Sequence, residues 1–167
     1  MTVAEVKNIL LQQDPVLQLE VLENTSPAGF LIREDQLLKI CTILKNDPTL
    51  FFDHLSCLTG LDNGPEQQTM EVIYHLYSIT KEISLTLKVL LDRTHPVVAS
   101  IAGLWRSADW HEREAFDLLG IDFEGHPDLR RILLPSDWDG FPLRKDYQEQ
   151  EKYHGIHVVY DREDNKN

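Results

Sequence analysis

The chain has 167 residues, 42% of them hydrophobic, with two cysteines and a formal net charge of −12. That length suits one domain with room for an appendage, and the apolar content excludes wholesale disorder. The acidity excludes nucleic acid as a partner, because phosphate binding needs a concentrated basic face, and it sets the chain against an anionic membrane surface.

The charge is unevenly spread. Residues 1–127 hold 9 Lys/Arg against 19 Asp/Glu, whereas residues 128–146 hold 4 of each. A neutral stretch in an acidic chain is the part expected to meet something other than water. Cys41 and Cys57 sit among apolar residues outside any CxxC pair. Both are therefore expected as buried, reduced thiols in an intracellular setting. Iron–sulfur or zinc binding within the chain is not expected, since either needs about four close ligands. No apolar run reaches the roughly 18–20 residues that cross a bilayer. The opening MTVAEVKNILLQQD holds an early Glu5 and no hydrophobic core, so it reads as neither signal nor transit peptide. Membrane association is expected only through a partner.

Val3, Val6, Ile9 and Leu10 fall at helical spacing, and Asp14-Pro15 ends that helix. Residues 16–22 alternate apolar and polar and read as a strand, and residues 24–29 as a turn cluster. Asp35 is placed to cap a helix through Leu37, Leu38, Ile40, Cys41 and Leu44. Strands are expected over residues 50–58, 70–79 and 83–91, the first two joined by a loop at 60–65 and the last two by a tight turn at 80–82. Pro96 is placed to start a short helix over 97–104. Asp109 and Glu112 have the spacing of a capping box for a second helix, with Trp110, Ala115, Phe116 and Leu119 on its apolar face and Gly120 as its stop.

Beyond Gly120, Gly125, Pro127, Pro135, Gly140 and Pro142 break any long helix, yet Leu129, Ile132, Leu133, Leu134, Trp138, Phe141 and Leu143 remain. Apolar side chains on such a segment must pack on the body or on a partner. The fold class is therefore α+β: a small, mainly antiparallel sheet with helices on one face. Residues 1–120 form the compact domain and residues 121–167 an extended Pro/Gly-rich arm that binds partners. Residues 161–167 are expected to be polar and mobile.

Motifs of chemistry are sparse. The sequence holds no GxGxxG, Walker loop or GxSxG elbow. His111-Glu112 opens like a zinc-protease helix, but Ala115 stands where the second histidine belongs. His154 and His157 read as solvated. Glu112, Arg113, Glu114 and Asp117 read as a solvated face in which Arg113 and Asp117 pair. Arg130-Arg131 and Arg144-Lys145, flanked by Asp128, Asp137, Asp139 and Asp146, fit forked ion pairs within the protein or across an interface.

The order and spacing of three pieces over residues 112–147 are specific. They are Glu112-Arg113-Glu114-x-x-Asp117-Leu118-Leu119-Gly120, then His126-Pro127-x-Leu129-Arg130-Arg131-Ile132-Leu133, then Gly140-x-Pro142-Leu143-Arg144-Lys145-Asp146-Tyr147. Together they resemble the family of C subunits of bacterial complex I. Trp105-Arg106-Ser107-Ala108-Asp109 and Leu134-Pro135-x-x-Trp138-x-Gly140 are similar to the photosynthetic branch of that family, the J subunit of the NAD(P)H–plastoquinone dehydrogenase of cyanobacteria and chloroplasts. Phe141 stands where respiratory members usually carry His, which is in keeping with that branch. The resemblance is close over residues 105–147 and extends to residues 1–104 only in the order of elements.

The resemblance implies a non-catalytic structural subunit in the hydrophilic arm of a proton-pumping NAD(P)H- or ferredoxin–plastoquinone oxidoreductase. Such a protein would lie peripherally on the cytoplasmic or stromal side of the thylakoid membrane and hold no cofactor. It would brace the H, I and K subunits, which hold the iron–sulfur clusters and help form the plastoquinone site. The residues expected to carry structural or interface roles are Glu112, Arg113, Glu114, Asp117, His126, Pro127, Arg130, Arg131, Trp138, Phe141, Pro142, Arg144, Lys145 and Asp146. Alternatives are the equivalent component of a respiratory complex I or of a membrane-bound hydrogenase. An electron-transfer enzyme in its own right is disfavoured by the missing phosphate loop, flavin cradle and cluster ligands.

Overall fold

Three runs of alternating apolar residues build the centre of the molecule. They become β3 (His54–Asp62), β4 (Thr69–Ser78) and β5 (Ile83–Asp92). With β1 (Leu19–Leu22) and β2 (Gly29–Ile32) they form a five-stranded sheet of order β1-β2-β5-β4-β3. All neighbours are antiparallel except β2 and β5, which are parallel. The computed structural model describes residues 1–22 and 25–157, so Asn24 of the expected turn and the expected polar tail at 161–167 lie outside the described residues.

In β4, Met70, Val72, Tyr74 and Leu76 are buried while their alternates are half-buried, the two-residue period of a sheet with one core face. Against that face pack α1 (Val3–Gln13), α2 (Leu37–Asn46) and α3 (Arg106–Leu119). They contribute Val6, Leu10, Leu37, Ile40, Leu44, Ala108, Ala115 and Leu119 to one hydrophobic cluster shared with the strands. Each large side chain fully removed from water there contributes roughly 1.5–3 kcal/mol. The fold is thus α+β with a mainly antiparallel sheet, as the sequence implies. Among the described residues no helix is long and apolar enough to cross a membrane.

Several local expectations change, each for a physical reason. Only residues 19–22 of the expected 16–22 strand pair in the sheet. β2 emerges from the expected turn cluster, and its first residue must be glycine: a Cβ on Gly29 would sit 1.8 Å from the Thr86 carbonyl oxygen. Asp35 does not cap α2; its carboxylate is taken by the Arg33 guanidinium at 2.9 and 2.7 Å, and a 3-10 turn over Glu34–Gln36 leads into the helix. The strand expected from residue 50 begins at His54, because Phe51 adopts φ 41° and Leu50 and Phe52 enter the core as loop residues. It then runs through Gly60, where a Cβ would lie 2.6 Å from Leu119 and 2.9 Å from Ile121. Glycine in a strand here marks close approach of the helical layer.

The helix expected over 97–104 is instead β6 (Val97–Ala99), parallel to β7 (Asp122–Glu124) across α3. β-branched Val97 and Val98 favour the strand, and the Pro96 carbonyl accepts the Asp122 N–H at 2.8 Å. α3 starts at Arg106, so Asp109 lies inside its first turn and makes no capping box with Glu112. Its N-cap is Trp105, without a side-chain cap, and Trp110 points outward at 63% exposure instead of joining the apolar face. A capping box does occur in α1, where Thr2 and Glu5 exchange hydrogen bonds. Gly120 closes α3 at φ 72°, as expected. Ile121, just before β7, and Phe123 within it enter the core, so the packed body continues past residue 120. A two-residue hairpin, β8 (Lys152–Tyr153) and β9 (Ile156–His157), follows the Pro-rich stretch. Cys41 is buried, whereas Cys57 is only half-buried.

Candidate functional site

The segment at 126–147 lies along α3 and is held by buried charges. Asp117 is fully buried. Its Oδ2 accepts the consecutive N–H groups of Ile132, Leu133 and Leu134 at 3.0, 2.7 and 2.9 Å. Its Oδ1 accepts Arg131 Nη1 at 2.8 Å, and Arg131 also donates to the carbonyls of Asp117, Trp138 and Gly140. Burial by itself raises the Asp117 carboxyl, but these donors outweigh it and hold the group below its ordinary range. Arg131 therefore ties three stretches of backbone to one helix residue. The expected Arg113–Asp117 pair does not form. Arg113 is buried, donates from Nε to the Arg130 carbonyl at 3.2 Å and lies 5.1 Å from the Trp110 ring centroid.

One helical turn earlier lies a second buried carboxylate. Glu112 accepts Ser100 Oγ at 2.6 Å and the Ile101 N–H at 2.8 Å. Burial pushes its carboxyl up despite these donors. The His126 side chain, also fully buried, places Nε2 3.8 Å from Glu112 and 3.3 Å from both the carbonyl and the carboxylate of Asp109. Its Nδ1 accepts the Asp128 N–H at 3.0 Å. The expected solvated face of Glu112, Arg113, Glu114 and Asp117 is therefore a buried one, with only Glu114 exposed. Lone helix periodicity could not show this, because the covering layer comes from residues beyond Gly120.

The far end of the segment docks at the end of the sheet. Buried Arg93 donates to both Asp62 oxygens, at 2.7 and 3.0 Å, and also bonds Asp146. Arg93 holds Asp62 far below the ordinary carboxylate range. Asp62 also accepts the N–H of Lys145 at 2.8 Å, and Lys145 Nζ reaches the Asn63 carbonyl at 3.2 Å. Arg144 Nε donates to the Leu119 carbonyl at 2.7 Å, and the Leu143 N–H to that of Leu118 at 3.0 Å. The Arg131 and Arg144 guanidiniums lie 5.3 and 4.9 Å from the Phe141 ring centroid. That ring covers Gly120, where a Cβ would come within 2.6 Å of it. Trp138 Nε1 donates to the Tyr147 hydroxyl at 3.1 Å, and its ring centroid lies 5.3 Å from that of Tyr153.

Thus Glu112, Arg113, Asp117, His126, Arg131, Phe141, Arg144, Lys145 and Asp146 join one framework of anchors. Pro127 and Arg130 are exposed, with Arg130 paired to Asp128 at 2.9 Å, and Pro142 is half-buried. Outward-facing apolar groups remain: Trp110, Leu133 at 62% and Leu143 at 58% exposure. Leu143 also borders a groove of about 270 Å³ between α3 and β3, lined by Cys57, Thr59, His111, Glu114 and Leu118. Among the described residues no group of three or more His, Cys, Asp or Glu side chains is arranged to hold a metal. Asp62, Arg93 and Ser100 are anchors that residue patterns did not single out, and Asp109, read from the sequence as a helix cap, instead faces His126. The first three sit 31 to 83 residues or one loop away from their partners, with no local signal.

The model of the family described as "Respiratory-chain NADH dehydrogenase, 30 Kd subunit" matches residues 30–153. The chain belongs to this family. Its relatives within the 30 kDa family include the C subunit of NADH-quinone oxidoreductase from Chloroherpeton thalassium, 44% identical over 154 residues, or 90% of this chain and 58% of the relative. The C subunit from Chlorobium phaeobacteroides is 43% identical over 81% of this chain and 82% of the relative. That of Moorella thermoacetica is 46% identical over 79% and 87%. Two solved structures share the fold of the 30 kDa family. A trypsin-resistant fragment of Nqo5 is 24% identical, with a TM-score of 0.63 over 77% of this chain and 100% of the fragment. A chain of an archaeal membrane-bound sulfane sulfur reductase is 21% identical, with a TM-score of 0.72 over 98% of both.

Proposed function

We propose that this chain is a non-catalytic structural subunit of the hydrophilic arm of a complex I-type quinone oxidoreductase. Residues 126–147 would brace the neighbouring subunits that hold the iron–sulfur clusters and form the quinone site, the counterparts of H, I and K. The observation that carries the reading is a segment pinned by backbone to buried Asp117 while Leu133 and Leu143 face outward. A rigid segment with exposed apolar groups and balanced charge suits a protein interface. Family membership supports the same reading. The chain itself is proposed to hold no cofactor and to reach the membrane only through the complex.

Two versions of that enzyme follow from different observations. Trp138 and Phe141 favour a thylakoid enzyme that reduces plastoquinone with NAD(P)H or ferredoxin. The relatives, named as C subunits of NADH-quinone oxidoreductase at 43–46% identity, favour a respiratory enzyme fed by NADH. Purification of the tagged chain from native membranes, with mass spectrometry of the associated proteins and extraction of the bound quinone, tests both. Recovery of cluster-bearing subunits supports the bracing role, and a chain that purifies alone contradicts it. Plastoquinone in the extract selects the first version, and a respiratory quinone the second.

A further inference from the structure

The segment at 126–147 begins on a histidine whose two ring nitrogens face opposite kinds of group. Nδ1 accepts the Asp128 N–H at 3.0 Å, so in this arrangement the ring carries its proton on Nε2. Nε2 looks into an acidic recess: the Asp109 carbonyl and Oδ1 at 3.3 Å, and Glu112 Oε2 at 3.8 Å. The His126 side chain is fully buried, and Asp109 Oδ1 is a buried oxygen with no hydrogen-bond partner among the described residues.

We propose that the Asp109–His126–Glu112 cluster is a proton-operated latch at the root of the segment, closed when His126 is neutral and opened when the ring gains its second proton. The second proton must go on Nδ1. There it faces the Asp128 N–H, donor against donor, and the bond that sets the turn at 126–128 is lost. The Asp109 oxygen beside Nε2, without a hydrogen-bond partner among the described residues, is ready to receive a charged ring. The arrangement seen is thus satisfied only while the ring is neutral, the asymmetry on which a bistable element is built.

The other polar groups around the cluster do not supply the switch. Ser100 and the Ile101 N–H already bond Glu112. Buried Cys41 and Tyr74 are held in their neutral forms by burial, with the charge of Glu112 acting the same way. Asp128 turns its carboxylate outward to Arg130. Arg113, on the same helix, is engaged with the Arg130 carbonyl and Trp110. The latch depends only on this chain, whether or not the segment meets the proposed partners.

Amide exchange and ¹⁵N-imidazole spectroscopy on the full chain test it from about pH 8 to about pH 5.5, the range in which histidines act as pH switches. The expected result at the upper pH is the Nε2–H tautomer. On acidification the Asp128 amide should lose about tenfold of its protection, after correction for intrinsic exchange, as expected for one hydrogen bond. The midpoint should match the His126 ring. His126→Asn presents a non-titrating oxygen near Nδ1 and should keep Asp128 protected throughout. Protection that does not change with pH, or that falls equally in His126→Asn, overturns the latch. Should His126→Asn not fold, the wild-type spectra decide alone: an Nδ1–H tautomer, or ring titration without movement of the Asp128 amide, overturns it.

Discussion

Replacing Asp117 with alanine is the sharpest test of how the segment at 126–147 is held. The substitution removes the acceptor of three consecutive amides and of the Arg131 guanidinium. Asp117 is fully buried and the Arg131 side chain only 16% exposed, so water cannot readily replace what is lost. Removing one partner of a buried ion pair costs about 3–5 kcal/mol, and a hydrogen bond whose acceptor vanishes costs about 1 kcal/mol or more. Because Arg131 keeps the carbonyls of Trp138 and Gly140, about 4 kcal/mol is expected. For a domain of this size that lowers Tm by roughly 8–16 °C. Asp117→Asn keeps the shape and one acceptor and should lose about half as much. The sign with pH follows from the direction of the shift. A depressed carboxyl stabilises the fold above its unfolded value, about 3.9, and that contribution is lost as pH falls through the folded value. Urea unfolding followed by tryptophan fluorescence measures both effects. A variant within about 0.5 kcal/mol of wild type, the range of a neutral surface change, would refute the reasoning.

Three further outcomes can be checked separately. Arg93→Leu strands buried Asp62 and frees Asp146, and should lower Tm by roughly 6–12 °C, about 3 kcal/mol; calorimetry reads the loss, and an unchanged Tm contradicts the distal anchor. Gly120→Ala combines φ 72° with a Cβ that meets the Phe141 ring, so it should cost at least the roughly 1–2 kcal/mol of a left-handed residue in denaturant titrations. Glu112 behaves opposite to Asp117: its raised carboxyl favours folding while protonated, and that advantage fades as pH rises through the folded value. Stability measured at about pH 5 and about pH 8 should therefore shift in favour of Glu112→Gln at the higher pH, and a shift the other way contradicts the assignment.

The long strands, α1, and the end of α3 at Gly120 are legible in the sequence because each carries its own periodicity or stop. β2 and β6 are not, because four- and three-residue strands exist only through their partners, β5 and β7. The motif over residues 112–147 contains Glu112, Asp117, His126 and Arg131, but its physics is hidden. Nothing in a helical pattern shows that Glu112 and Asp117 are buried, because the groups that bury them arrive from residues 100 and 126–134. The same layer explains why residues 128–147 cannot be removed cleanly: Asp117 would lose its Arg131 and backbone donors, and Arg93 its bond to Asp146. Point changes on exposed apolar residues separate docking from folding more cleanly than a deletion.

Leu133→Asp with Leu143→Asp is such a change, since both side chains are mostly exposed and neither is an anchor. The decisive measurement is recovery of neighbouring subunits with the tagged double variant from native membranes, beside the Tm of the isolated chain. The bracing role predicts an unchanged Tm together with loss of the cluster-bearing subunits and of quinone reduction. A fully assembled, active complex containing the double variant would contradict it.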